Sequence, residues 1–221
     1  MVARRVQLDS RKGVVVFTTT ITCVVSLGNP DRGTLVSLLK ERSLQLGDFT
    51  LSSGKKSNYY VDARLTTMSA DGLEAIGTIG VAMISSARWH PSAVGGLTLG
   101  ADPVAYAIST ASRRTPPVMD AFTVRKQSKG YGARRQIEGC FSGGDHVVVV
   151  EDVITTGASA LTVVGLLEEA GGVVLGVLGV VDRMEGGREA IEEAGYTVLT
   201  MASIRDLGVE PDSGPSTVEH P

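Results

Sequence analysis

Val147-Val148-Val149-Val150-Glu151-Asp152-Val153-Ile154-Thr155-Thr156-Gly157-Ala158-Ser159-Ala160 is a strand, an acidic pair, a turn and the start of a helix in fourteen residues. Four consecutive β-branched apolar residues without alternation read as a strand buried on both faces. The strand ends in two carboxylates, and a loop of hydroxyls and glycine then opens a helix expected over Ala158–Ala170. Such a strand needs helices above and below it. The reading is an α/β fold with a mainly parallel central sheet flanked by helices.

The same alternation extends outward in both directions. Short apolar runs at Ala93–Gly95, Val118–Val124, Val173–Val181 and Thr197–Met201 alternate with helical stretches at Ala101–Ser112 and Arg188–Ala194. Upstream, Asp31 is placed to cap a helix running to about Arg42, with Leu35, Leu38 and Leu39 on one face. Ser69 is placed to cap another, in which Gly77 and Gly80 allow close packing, and Asn58–Asp62 reads as a strand. Residues 31–208 are therefore expected to form one domain, with a loosely structured extension at 1–30 and a disordered Pro-, Ser- and acid-rich tail at 209–221.

Composition narrows the function classes. Twenty-seven glycines in 221 residues exceed the usual roughly 7% and suit tight strand-to-helix turns. With 21 basic against 24 acidic side chains the net charge is −3, so no nucleic-acid partner is expected without a local basic patch. Cys23 and Cys140 fit no metal or redox spacing and read as thiols of a reducing cytoplasm. Gly13–Gly28 is diluted by four threonines and, at sixteen residues, is too short to span a bilayer. No membrane partner is expected.

In open sheets of this kind ligands bind beyond the carboxyl ends of the strands, where Glu151 and Asp152 lie. The loop after them offers backbone N–H groups and the hydroxyls of Thr155, Thr156 and Ser159 at a helix N-terminus, a favourable place for a phosphate. The spacing is not that of a Walker loop, whose lysine is absent. Two acids beside a phosphate cradle repel the ligand unless they meet something else, and vicinal ribose hydroxyls answer that description. Together the parts suit a ribose 5-phosphate. Fixed carboxylates would also stabilise positive charge developing on the sugar ring if C1 lost its leaving group.

Two further features bear on that chemistry. Between Arg125 and Arg135 there are five cations (Arg125, Lys126, Lys129, Arg134, Arg135) and no acid. Gly130 and Gly132 supply hinges, and a flexible loop this basic suits closure over a polyphosphate. Arg183, after the strand Val173–Val181, offers a planar fork for a carboxylate or ring carbonyl; an ion pair with Asp182 or Glu185 is the other reading. Tyr60 is either an aromatic wall of the same pocket or a core tyrosine.

The fourteen-residue string resembles the motif by which type I phosphoribosyltransferases bind phosphoribosyl pyrophosphate (PRPP). Phe49-Thr50-Leu51-Ser52-Ser53-Gly54-Lys55-Lys56-Ser57-Asn58-Tyr59-Tyr60-Val61-Asp62 is similar to the N-terminal signature of the orotate phosphoribosyltransferases. Val94–Pro103, Val124-Arg125-Lys126 with Lys129, and Val181-Asp182-Arg183 agree further and occur in family order. The resemblance implies a small N-terminal hood on the sheet domain. It implies Mg²⁺-dependent transfer of a phosphoribosyl group from PRPP to orotate, giving orotidine 5′-monophosphate and pyrophosphate for pyrimidine synthesis.

The resemblance makes Asp152, Glu151 and Lys129 catalytic. It assigns PRPP to Glu151, Asp152, Val153, Ile154, Thr155, Thr156, Gly157, Ala158, Ser159, Arg125, Lys126, Lys129 and Tyr131, and orotate to Thr155, Arg183 and Tyr60. Pyrophosphate and Mg²⁺ are expected between Gly95–Gly96 and the basic residues, with the metal held mainly by PRPP rather than by side chains. The family's basic loop reaches into a neighbouring subunit, which implies a cytoplasmic homodimer with shared sites. The sequence departs from the family at Ser52 and Gly100, where many members have lysine, at Tyr131, where many have histidine, and at Glu151, where aspartate is commoner. The alternatives are transfer to another base, or a non-catalytic PRPP-sensing regulator, which would need a DNA-binding segment that the sequence does not display.

Overall fold

The computed structural model describes residues 31–50, 54, 56–126 and 136–211, together with two strands near the N-terminus. Those strands, β1 (Arg4–Asp9) and β2 (Val14–Thr19), lie within the stretch read as a loose extension and pair antiparallel, Arg4 opposite Thr19. A lone two-stranded ladder is marginal in water by itself.

From Asp31 onward the expected alternation appears. Asp31 caps α1 (Arg32–Leu38) by accepting from the Thr34 N–H at 2.8 Å, and a π-helical turn carries the helix through Leu39–Ser43. Next come β3 (Leu44–Thr50), β4 (Lys56–Val61) and the single turn α2 (Arg64–Thr67). Ser69 caps α3 (Ala70–Ser86) by accepting from Gly72 N–H. After β5 (Ala93–Leu97) and α4 (Ala101–Ser112) the chain forms β6 (Asp120–Val124) and β7 (Ile137–Gly139). It closes with β8 (His146–Ile154), α5 (Ala158–Glu169), β9 (Val173–Asp182), α6 (Gly187–Glu193) and β10 (Val198–Ser203).

Six strands make the central sheet in the order β10-β9-β8-β5-β6-β7. All its pairings are parallel except that of β7, a three-residue antiparallel edge. The apolar run of β8 divides between two cores as the pleat requires. Val148 and Val150 pack with α1, α3 and α4, while Val147 and Val149 pack with α5 and α6. β5 and β8 are neighbours whose following helices leave to opposite faces, so the switch point of the sheet lies between their carboxyl ends.

β3 and β4 pair antiparallel as a separate hood, with a register shift between Leu46 and Phe49. Along β4 the alternation buries Ser57, Tyr59 and Val61 and leaves Tyr60 facing outward. At the other end of the chain Leu207 is buried and Val209 packs against the core. No helix among the described residues is long and apolar enough to cross a membrane.

Candidate active site

A cleft of ≈ 330 Å³ opens at that switch point. It is bounded by the ends of β4 and β8, by α2 and by the loop between β5 and α4. Glu151, Asp152, Val153, Thr155 and Ser159 line it, together with Lys126, Tyr60 and Arg183. A small adjoining cavity of ≈ 60 Å³ is walled by Glu151 and by the loop and helix start from Val153 to Ala160. Here Gly157 adopts φ +76°, and a Cβ would meet the Gly187 carbonyl at 2.7 Å. The turn therefore suits glycine on two counts. It delivers the first-turn N–H groups of α5, which have no intrahelical acceptor, to the floor of that cavity.

The two acids differ. Glu151 is only 6% exposed and its Oε1 is buried with no hydrogen-bond partner. Burial, reinforced by the adjacent Asp152 charge and opposed by Lys126, pushes its carboxyl up to about 8. Asp152 accepts from the Val153 N–H at 2.9 Å. Burial raises its carboxyl too, while hydrogen bonding to Val153 and the charge of Arg64 pull the other way. The cleft thus carries a buried carboxyl oxygen to which no protein group among the described residues donates, and a ligand hydroxyl is the kind of donor it suits.

Arg183 combines both sequence readings. It is buried and pairs with Glu185 at 2.8 Å, and its guanidinium lies 4.9 Å from the centre of the Tyr59 ring. It also borders the cleft. Asp182 accepts from Met184 N–H and from Arg188 and so fixes the turn that carries Arg183. Tyr59 is the core tyrosine, whereas Tyr60 faces the cleft and its ring sits 5.8 Å from that of Phe49.

Several expected residues lie elsewhere. Arg125 pairs with Glu138 on β7 at 3.1 Å and is not among the cleft's walls. Ile154 is buried in the core beneath α5, so its backbone rather than its side chain meets the small cavity. Gly95 and Gly96 lie inside β5, where a side chain would strike the Phe122 and Val150 carbonyls, and the cleft is lined instead by Leu97 to Gly100. Lys129 and Tyr131, like Ser52, fall outside the described residues.

Two acid-bearing features were not singled out from sequence. Asp102 accepts from Thr98 at 2.7 Å and also from Thr123, tying the β5–α4 loop to β6. Asp62 and Arg64 form a two-pronged pair on the cleft wall, Nε to Oδ1 at 2.8 Å and Nη2 to Oδ2 at 3.0 Å. An Asp-x-Arg immediately after a strand that lines a ligand cleft is the signal that could have found the second pair.

Comparison with known proteins places this geometry among relatives, although no protein-family model matches. The chain is 46% identical over 180 residues to the orotate phosphoribosyltransferase of Aquifex aeolicus, covering 80% of this chain and 97% of that one. The Mycobacterium tuberculosis H37Rv orotate phosphoribosyltransferase solved with Fe(III) dicitrate superposes with a TM-score of 0.73 at 45% identity, covering 81% of this chain and 100% of the other. The same enzyme solved with PRPP gives 0.69 at 42% identity, with coverage of 81% and 100%.

Proposed function

The chain belongs to the orotate phosphoribosyltransferases, and from that premise we infer that it transfers the 5-phosphoribosyl group of PRPP to orotate. The ribose C1 bond to the pyrophosphate oxygen breaks and pyrophosphate leaves with the electron pair, while a bond from C1 to N1 of orotate forms and the N1 proton passes to solvent or to the departing pyrophosphate. The products are orotidine 5′-monophosphate and pyrophosphate.

One observation supports this reading most directly: the partnerless buried oxygen of Glu151, next to Asp152, faces a cleft joined to the helix-start cavity of α5. The cradle from Thr155 to Ser159 suits the 5′-phosphate. Glu151 and Asp152 then meet the 2′ and 3′ hydroxyls and stabilise the ring as it gains positive charge, an interaction stronger in the transition state than in the ground state. Arg183 and Tyr60 border the side of the cleft under the hood, where a planar base carrying a carboxylate fits, with the Thr155 hydroxyl in reach of the same space.

Magnesium suits the donors present. It prefers hard oxygen ligands and keeps several from water and substrate phosphates, and the cleft offers the carboxylates of Glu151 and Asp152. We take the ion to be held chiefly by PRPP itself. When bound, it neutralises charge on the diphosphate.

We further propose a homodimer in which Lys129 of one chain serves the other's cleft, with Lys126 and Tyr131 in the same basic segment. Exposed Leu65 and Met68 at α2, Leu99 on the β5–α4 loop and Tyr106 on α4 favour an apolar contact between copies. The exposed free thiol of Cys140 suits a reducing cytoplasm. We take 31–208 as the catalytic unit, with 1–30 and 209–221 appended to it.

Offering orotate, uracil and purines in turn, each with PRPP and Mg²⁺, tests the reaction. Orotate alone should be consumed, with one pyrophosphate released per turnover. Consumption of another base instead, or PRPP binding without turnover, would refute it.

A further inference from the structure

The cleft has three acids among its walls, Asp62, Glu151 and Asp152, and three cations, Arg64, Lys126 and Arg183. A diphosphate leaving group needs cations facing the cleft, so what each one already does is decisive. Arg183 is buried against Tyr59 with Glu185 at 2.8 Å. Lys126 acts on Glu151. Arg64 acts on the other acid, Asp152, and its side chain is about half exposed at the cleft wall.

Two geometric facts set Arg64 apart from an ordinary surface ion pair. First, the pairing is a fork on a carboxylate, Nε to Oδ1 at 2.8 Å and Nη2 to Oδ2 at 3.0 Å, and Asp62 also accepts from the Arg64 backbone N–H at 3.2 Å. The Asp62 backbone is anchored in turn by its N–H to the Ser43 carbonyl at 3.0 Å. The guanidinium plane is therefore set before any ligand arrives, and a guanidinium has five donors, of which this fork uses two. Second, the facing loop brings no side chain to Asp152 at its end: a Cβ on Gly100 would lie 2.5–2.6 Å from the Asp152 carboxyl atoms. The charge on that side of Asp152 has to come from across the cleft.

We propose that Arg64, held in orientation by Asp62, binds the diphosphate of PRPP and the departing pyrophosphate on the Asp152 side of the cleft. This rests on the reaction inferred above, and Lys126 provides the opposing charge on the Glu151 side. Arg64 is then a binding residue for the leaving group, and Asp62 positions it.

The test measures inorganic pyrophosphate directly by calorimetry, with Mg²⁺, on wild type, Arg64→Ala, Arg64→Gln, Arg64→Lys and Asp62→Asn, alongside ribose 5-phosphate as a probe of the 5′-phosphate cradle. Arg64→Ala and Arg64→Gln should weaken pyrophosphate at least tenfold while ribose 5-phosphate stays within about twofold. Arg64→Lys should recover part of the loss, and Asp62→Asn should show a smaller one. In turnover, kcat/KM for PRPP should fall and KM for orotate should stay within about twofold. Pyrophosphate affinity within twofold of wild type in either folded neutral variant overturns the proposal, as does an equal loss of ribose 5-phosphate. Failure of the parent reading looks different: wild type would then not turn over orotate at all.

Discussion

Gly100 stands against Asp152 so closely that a methyl group on it would reach 2.5–2.6 Å from all three carboxyl atoms. Gly100 itself has φ −63° and ψ −42°, a conformation any residue tolerates. The glycine is required by its neighbour, not by its own backbone. Gly100→Ala should therefore lower the melting temperature by no more than a few degrees, because the obstacle is a side chain rather than backbone. Catalysis should drop at least tenfold as the carboxylate is pushed aside. Kinetics and melting on one preparation check this, and unchanged kcat would show that Asp152 need not stay where it is.

The buried Glu151 carboxyl makes stability depend on pH. Its folded carboxyl is raised to about 8 from an ordinary 4.5, so the folded protein holds this proton more tightly than the unfolded chain. That contribution is complete below about pH 4.5 and is lost as pH climbs through about 8, on the order of a few kcal/mol. Glu151→Gln cannot ionise. Ligand-free, it should melt close to wild type near pH 4 and several degrees higher at pH 8.5, yet it should lose most of its turnover. Parallel melting curves across that range would contradict the buried-acid account.

Removing one member of the Arg183–Glu185 pair leaves the other charge buried. Glu185→Ala should cost about 3–5 kcal/mol in urea unfolding and raise KM for orotate at least tenfold, with KM for PRPP little changed. The double variant Arg183→Met/Glu185→Leu should regain much of the stability and none of the orotate use. Recovery of orotate use in the double variant would free Arg183 of its assigned role.

Asp152→Asn should lower kcat at least tenfold while PRPP still binds. Lys129→Ala should be inactive alone, yet mixing it with Asp152→Asn should raise activity above that of either protein alone, since one hybrid site would contain both intact groups. With subunit exchange verified by mass, no such rise in the mixture would argue that each chain uses its own Lys129.

Much of the architecture was legible because it follows local rules. Val147 to Val150 announce a doubly covered strand, and Asp31 and Ser69 cap the helices they precede. What stayed hidden lacks such a signature. β3 is mostly exposed and broken by a register shift, β7 has three residues and α2 one turn. In the site, the acids and the glycine-hydroxyl loop are contiguous and hence readable. Arg64 is not, because its value depends on α2 folding across to the end of β8. Arg183 was readable as a candidate, but its engagement with Glu185 and Tyr59 depends on packing. The period of two along β4 does separate Tyr59 from Tyr60.

Arg125 and Gln136 are joined by two hydrogen bonds, the Gln136 carbonyl accepting from the Arg125 N–H at 2.8 Å and the Arg125 carbonyl accepting from Gln136 Nε2 at 3.2 Å. The basic segment therefore departs and returns at one point. Eleven peptide links out and back restrict it to roughly 20 Å from that knot, even fully stretched. Whichever substrate Lys129 serves has to sit inside this tether's radius, so a successful hybrid-site experiment would also measure how near two subunits must bring their reaction centres.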